Sequence, residues 1–323
     1  MTRNRRFDVT TIGSTLLRLS VPAGERLETA TSYSVHTAGT EANTMVALSR
    51  MGLKTCWVSR LKRDVIGDRI SSEIRSHGVD TTRVIWTDKD RNEIFFVEYG
   101  ASPRGIQVVY DRSNSALSKI RFDDVDRGYL LDTRIFHITG ILPALSERCR
   151  QTSEEAVNAA SAEKIKISFD VNYRKKLWSP QKAAKTLTPL MERCDILFLT
   201  REDATDLFHL SGTPDRMVQT AYERFQPEIC IMTLGGEGGL AFDCKQLYKS
   251  PAYDVEILDR LGAGDSFTAG FLWGYLEGSI QQGMDYGSAM AALKLGIKGD
   301  YLISNREEVL GLINATGGRE VGR

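Results

Sequence analysis

The sequence predicts an α/β fold, with a mostly parallel central sheet flanked by helices and a small β-sheet lid beside it. Three observations predict it. Short β-rich runs alternate with amphipathic helical windows, the pattern of strands joined by crossover helices. Several runs are apolar almost without a break, such as Ile-Leu-Phe-Leu at 196–199 and Ile-Cys-Ile-Met at 229–232, as strands buried on both faces require. Two stretches, 16–35 and 92–110, hold strand-like segments with no crossover helix.

In chain order, 7–13 reads as a strand, 41–51 as a helix, 55–59 as a strand and 66–77 as a helix. Further strands are expected at 134–138, 165–170, 195–199 and 228–234, with helices at 146–162, 180–193, 201–210 and 214–225. Segments 93–99 and 106–110 look like two antiparallel strands joined through 100–105, and Phe95, Phe96, Val108 and Val109 make both of their faces apolar. A small sheet built from 14–38 and 92–112 would cover the carboxyl ends of the main strands, where open α/β sheets bind ligands. The expected organisation is one domain over 1–323 with that lid as a subdomain.

Composition narrows the class. The 323 residues are 41% hydrophobic and 26% charged, ample for a large core. Lys plus Arg and Asp plus Glu each total 42, so the basic excess of a nucleic-acid binder is missing. Cys56, Cys149, Cys194, Cys230 and Cys244 are widely spread with no metal-finger spacing, which fits reduced, mostly buried thiols and a cytoplasmic protein. His36, His77, His137 and His209 are equally scattered. No apolar run approaches membrane-spanning length, and the basic start leads into a short strand, not a signal-peptide core.

The most informative stretch is Asp259-Arg-Leu-Gly-Ala-Gly-Asp265, followed by a helix with Phe267, Phe271, Leu272 and Leu276 at apolar spacing. Gly262, Ala263 and Gly264 let the backbone turn tightly, and a helix start offers free N–H groups with partial positive charge. Asp265 sits in that first turn. Phosphoryl transfer to an alcohol needs an anion cradle and, within reach, a base for the hydroxyl proton. These seven residues could supply both. Asp265 could equally be a helix cap, and the isolated string does not decide between the two.

With these elements in view the chain resembles the ribokinase-type (phosphofructokinase-B) sugar kinases along nearly its whole length, most of all the 2-keto-3-deoxygluconate kinases. Residues 259–272 match the family's carboxy-terminal signature, residues 38–52 its amino-terminal glycine/asparagine element, and Thr233-Leu-Gly-Gly-Glu-Gly238 its nucleotide loop. No Walker-type loop ending in Gly-Lys-Ser/Thr is present. Tyr110-Asp-Arg112, Asp170-Val-Asn-Tyr-Arg174 ending in Leu-Trp178, and Gly299-Asp300 are similar to segments of the acid-sugar members.

The resemblance implies a ribokinase-like three-layer sandwich and an ATP- and Mg2+-dependent kinase acting on the C6 hydroxyl of a sugar acid. It implies Asp265 as catalytic base and Gly262, Ala263 and Gly264 as the anion hole. Gly39, Asn43, Tyr99, Tyr110, Arg112, Arg174 and Asp300 would bind substrate, and Asn172, Thr233, Gly235, Gly236 and Gly238 the nucleotide. The two arginines suit an acid sugar because a guanidinium pairs with a carboxylate through two N–H donors. The alternatives are a kinase for 2-keto-3-deoxygalactonate, fructose or ribose, or a non-catalytic sugar or nucleotide sensor.

Three departures stand out. Ala38 replaces the first glycine of the family's pair, and Gly13-Ser-Thr lacks the acid many relatives place after the glycine. Thr200-Arg-Glu-Asp203 stands where the family usually has Asn-x-x-Glu, the element that organises magnesium, leaving Asp203 as the metal candidate. Partners expected are a small sugar acid and ATP, with no nucleic acid or membrane, and a homo-oligomer formed through the lid, which would cover exposed sheet edges.

Overall fold

The computed structural model describes residues 5–100, 103–250 and 252–317. The chain begins with β1 (Phe7–Ile12), β2 (Leu16–Ser20), β3 (Ser34–Ala38) and α1 (Thr40–Arg50). It continues through β4 (Thr55–Val58), β5 (Arg60–Lys62), α2 (Val65–Ser76), β6 (Ile85–Thr87), β7 (Glu93–Glu98) and β8 (Gln107–Asp111). The short α3 (Arg127–Leu130) leads to β9 (Thr133–Thr139), α4 (Ile141–Leu145), α5 (Glu147–Ala162), β10 (Lys166–Asp170) and α6 (Pro180–Met191). Next come β11 (Ile196–Thr200), α7 (Arg201–Phe208), α8 (Pro214–Phe225), β12 (Ile229–Thr233), β13 (Gly239–Phe242) and β14 (Leu247–Ser250). Three helices close the chain, α9 (Ala263–Glu277), α10 (Ile280–Leu295) and α11 (Arg306–Gly317).

Eight strands form the main sheet in the order β14-β13-β12-β11-β10-β9-β1-β4. The six from β12 to β4 run parallel, and β13 and β14 finish one edge antiparallel. Side chains alternate between its faces. Leu197, Leu199, Cys230 and Met232 enter the apolar cluster that also holds residues of α5 to α8. Ile196, Phe198, Ile229 and Ile231 enter the cluster containing residues of α1, α2, α9 and α10. Helices therefore cover both faces of a mostly parallel sheet, as the unbroken apolar runs require. Helix α7 stops two residues before the expected end because His209 turns left-handed (φ 56°). Cys56, Cys149, Cys194 and Cys230 are free and buried, whereas Cys244 is exposed.

A second sheet, β3-β2-β7-β8, stands apart. Its β7 and β8 pair antiparallel with Phe95 opposite Tyr110, and β2 pairs parallel with β7. Leu16, Ala38, Phe95 and Val97 form its own buried cluster, against which Tyr99, Tyr110 and Leu261 pack.

Helix α9 owes its fixed position to small residues. A Cβ on Gly270 would come within 2.5 Å of the Tyr286 carbonyl, and one on Gly274 within 2.5 Å of the Gln282 carbonyl. Backbones of α9 and α10 thus touch directly, which anchors the helix whose first turn holds Asp265.

Candidate active site

The amino-terminal end of α9 builds the site. Gly262, its N-cap, takes φ 85°, a conformation open to glycine and costly for other residues. It also has no room for a side chain, since a Cβ would sit 2.1 Å from the Asp300 carbonyl oxygen. Past this turn the amides of Gly264 and Asp265 donate to no protein acceptor among the described residues, and Ala263 makes only a 3.4 Å contact back to Arg260. Gly264 is exposed, with open space where its Cβ would be. Unbonded amides at a helix start are an arrangement that can accept an anion.

Asp265 is buried. Its Oδ1 accepts from the Thr40 hydroxyl and its Oδ2 from Asn43 Nδ2 at 2.6 Å. Burial pushes its carboxyl up from the usual range, while those two donors, Arg174 and Lys294 pull it back down. A carboxylate held by donors at both oxygens, yet partly desolvated, is suited to accept a proton.

Asp265, Gly262, Arg174 and Tyr110 sit where two cavities meet. The smaller, of about 100 Å³, lies between the second sheet and the main body, and Gly39, Asn43, Phe95, Arg112 and Asp300 also line it. Gly39 lacks a side chain for steric cause, because a Cβ there would lie 2.1 Å from the Ser14 carbonyl. Arg112 gives Nη2 to Glu93 at 3.1 Å and to Ser14 at 2.9 Å. Its Nε is buried without a partner. Arg174 makes no ion pair among the described residues, neither with the nearby Asp170 nor with any other acid. Asn43 and Asp300 are already engaged by protein, Asn43 with Asp265 and Asp300 with Arg18. Burial lifts the Asp300 carboxyl to about 6. Tyr99 is not brought to this cavity. Its hydroxyl donates to Asp259 at 2.7 Å, and it lines a separate cavity of about 680 Å³ with Arg18, His36 and Lys298.

The larger of the two cavities at Asp265, of about 620 Å³, follows the carboxyl ends of β10, β11 and β12, with Asp170, Asn172, Asp203 and Thr233 in its wall. Gly235, Gly236 and Gly238 lie just beyond Thr233, in a turn where Gly235 and Gly238 take φ 59° and 90°. Asn172 itself is left-handed (φ 42°) and bonds Thr40 Oγ1 at 3.0 Å and Asp170 Oδ2 at 3.1 Å. Asp203 has a local job. Its Oδ2 accepts from the Thr200 amide at 3.0 Å while Thr200 Oγ1 accepts from the Asp203 amide at 2.9 Å, a reciprocal cap for α7.

Among the described residues no group of three or more His, Cys, Asp or Glu side chains stands together as a metal cage, but Asp170, Asp203 and Asp265 all line this wall. Burial raises the carboxyls of Asp170, Asp203 and Asp265 together. Asp170, lifted to about 7, feels both of the others as like charges. Mg2+ keeps much of its hydration and takes phosphate oxygens as ligands, so one or two of these carboxylates could hold it without a full protein cage.

Known proteins share this architecture. The model of the pfkB family of carbohydrate kinases matches residues 6–306. The chain belongs to that family. The 2-dehydro-3-deoxygalactonokinase of Haloferax volcanii is 35% identical over 303 residues, covering 94% of this chain and 95% of that relative. The crystal structure of 2-dehydro-3-deoxygluconokinase from Thermotoga maritima superposes with a TM-score of 0.90 at 31% identity, over 95% of this chain and 99% of that one. An uncharacterised sugar kinase from Pyrococcus horikoshii, solved with ATP, shares the fold at a TM-score of 0.83 and 23% identity, over 94% and 97% of the two chains.

The ribokinase-like fold expected from the sequence is thus the fold of this pfkB kinase. Three features of its site escape a reading of motifs. Thr40 bridges Asn172 and Asp265. Its place between Gly39 and Asn43 was the available signal. Glu41 is fully buried, accepts from Thr139 at 2.6 Å and is pushed by burial to about 7. Arg18 reaches Asp259 and Asp300 from the second sheet, and no local pattern marks it.

Proposed function

We propose that this pfkB kinase transfers the γ-phosphoryl group of ATP to the C6 hydroxyl of a 2-keto-3-deoxy sugar acid, with 2-keto-3-deoxygluconate the first candidate. One observation carries the reading. Asp265 stands at the junction of a small cavity lined by two arginines and a larger one lined by carboxylates, directly on an anion-accepting turn.

In this mechanism the sugar acid occupies the small cavity beneath the second sheet, which acts as its lid. Its carboxylate pairs with Arg112, whose buried Nε lacks a partner, and with Arg174. Gly39 admits the sugar close to the backbone, and Tyr110 covers it. Tyr99 and Asp300, bonded to Asp259 and Arg18, shape the surroundings. The nucleotide lies along Asn172, Thr233 and the turn of Gly235, Gly236 and Gly238. Asp170 and Asp203 would hold Mg2+, which screens phosphate charge when bound. Asp265 takes the C6 proton as the oxygen attacks the γ-phosphorus and the bond to ADP breaks. The amides at 262–265 accept the charge that grows on the phosphoryl oxygens, the type of contribution that dominates such rates.

The galactonate epimer is the second reading, favoured by the activity for which the Haloferax relative is named. Both acids carry the carboxylate that the arginines call for. A coupled assay of ADP release, with and without Mg2+, over both epimers, fructose and ribose tests the proposal. Turnover with a keto-deoxy acid at least about tenfold above the neutral sugars is expected, since a charged hydrogen bond is worth 1.5–3 kcal/mol. Preference for a neutral sugar, or no release with any acceptor, would overturn it.

The second sheet also supports self-association. Val35, Leu19, Phe96 and Val109 pair in one cross-strand row, and Val35 and Val109 are exposed. A second copy would cover that row. Sedimentation equilibrium of the wild type and Phe96→Asp decides this, a monomeric wild type counting against it.

A further inference from the structure

Behind the 262–265 turn lies a set of buried charges that the transfer itself does not use. Arg18, Asp259, Lys294 and Asp300 are each at most 7% exposed. Arg18 divides its guanidinium between the two acids, with Nη2 2.7 Å from Asp259 Oδ2 and Nη1 on Asp300 Oδ2. Asp259 takes further bonds from Tyr99 Oη at 2.7 Å, the Gly299 amide at 3.0 Å and the Leu261 amide at 3.1 Å.

Lys294, in the last turn of α10, is 0% exposed and forms no carboxylate pair of its own among the described residues. Its Nζ donates to two backbone carbonyls, Ile297 at 2.9 Å and Asp259 at 3.4 Å. Those carbonyls come from different loops. Asp259 opens the turn that ends in Asp265, and Ile297 leads into Gly299-Asp300. The same loops meet again where Gly262 leaves space for the Asp300 carbonyl.

Moving an ammonium out of water is costly, so its retention beside this turn calls for a return. Charge count supplies one reason. Arg18 offsets only one of the two carboxylates, and the lysine offsets the other. Position supplies the second, because the charge lies on the protein side of amides that face growing negative charge.

We propose that Lys294 is a positioning residue for phosphoryl transfer, clamping the 259–265 turn to the 297–300 loop and placing a fixed positive charge behind the anion-accepting amides. The inference rests on the kinase reading given above. It has a distinctive consequence. A spot lined by carbonyl oxygens and backed by carboxylates would suit a small monovalent cation, and here a covalently attached ammonium fills it. Turnover should therefore not depend on which monovalent cation the buffer holds.

The test uses the full chain and sugar-dependent ADP release. Wild-type rates in potassium, sodium or tetramethylammonium chloride should agree within about twofold; a loss of about tenfold in tetramethylammonium that potassium restores overturns the inference. Lys294→Met should lower kcat about 10- to 100-fold with the sugar KM nearly unchanged. Lys294→Ala should regain activity with ammonium chloride but not tetramethylammonium chloride. A folded Lys294→Met variant with turnover near wild type overturns the inference, as does a folded Lys294→Ala that ammonium leaves unchanged. If neither variant folds, the wild-type cation series decides alone. A wild type inactive with every acceptor instead overturns the kinase reading and the inference together, which keeps the two failures distinct.

Discussion

Gly262→Ala probes the turn on which the proposed chemistry depends. Two costs can be worked from the structure. At φ 85° an alanine pays about 1–2 kcal/mol for the left-handed backbone. The steric cost is larger in its effect on rate. The new Cβ would lie 2.1 Å from the Asp300 carbonyl oxygen, whereas carbon and oxygen settle at roughly 3.3 Å or more. The two backbones must separate by about 1 Å, a misplacement that costs on the order of 100-fold in rate. The displaced atoms are backbone, so no side-chain rotation absorbs the strain. ADP release at saturating sugar and nucleotide should fall by about that factor, and the backbone cost alone should lower thermal melting by circular dichroism by roughly 2–3 °C. A folded variant turning over within about threefold of wild type would refute the claim that the turn must hold its place for transfer.

Three other outcomes are expected. Asp265→Asn should cut kcat by about 10²–10⁴ while ATP and sugar still bind by calorimetry; near-normal turnover removes Asp265 as base. Arg174→Ala should raise the KM for the acid sugar about 10- to 100-fold, and an unchanged KM would assign the carboxylate elsewhere. Glu41→Gln tests the buried acid beneath the site. Burial raises Glu41 from 4.5 to about 7, so the folded state binds more protons than the unfolded one between those values. Its stability contribution is full below the unfolded value and is lost as pH rises through the folded one. Glutamine mimics the protonated acid, so the melting advantage of the variant should grow from pH 4.5 to 7 and level off on the order of 3 kcal/mol. A difference that ignores pH would refute burial as the cause.

The fold was legible because its strands are driven by burial. Ile196 to Leu199 and Ile229 to Met232 supply apolar side chains to both faces, and that demand shows as an unbroken run. Strands β13 and β14 carry shorter and more mixed patterns at the sheet edge, so they gave no comparable signal. In the site, Gly262 could be read because backbone geometry restricts the residue allowed there, whereas Asp265 and Gly39 took their roles from the family motifs. Asn172 and Asp203 came through a motif, yet their hydrogen bonds to Asp170 and Thr200 depend on where β10 and β11 end. Arg18 and Lys294 were illegible for a different reason. Arg18 pairs with Asp300, 282 residues away, and Lys294 reaches Asp259, 35 residues away, and a lone basic residue reads as surface until the chain brings its partner to it.

The placement of Arg18 also bears on redesign. A chimera that takes residues 14–38 from another kinase to change acceptor preference would exchange more than a cover. Without an arginine at that position, Lys294 alone would face Asp259 and Asp300, leaving one carboxylate stranded out of water, a defect of about 3–5 kcal/mol. Grafts that transfer this cation, or replace one of the two acids along with it, are the ones that should yield a working hybrid.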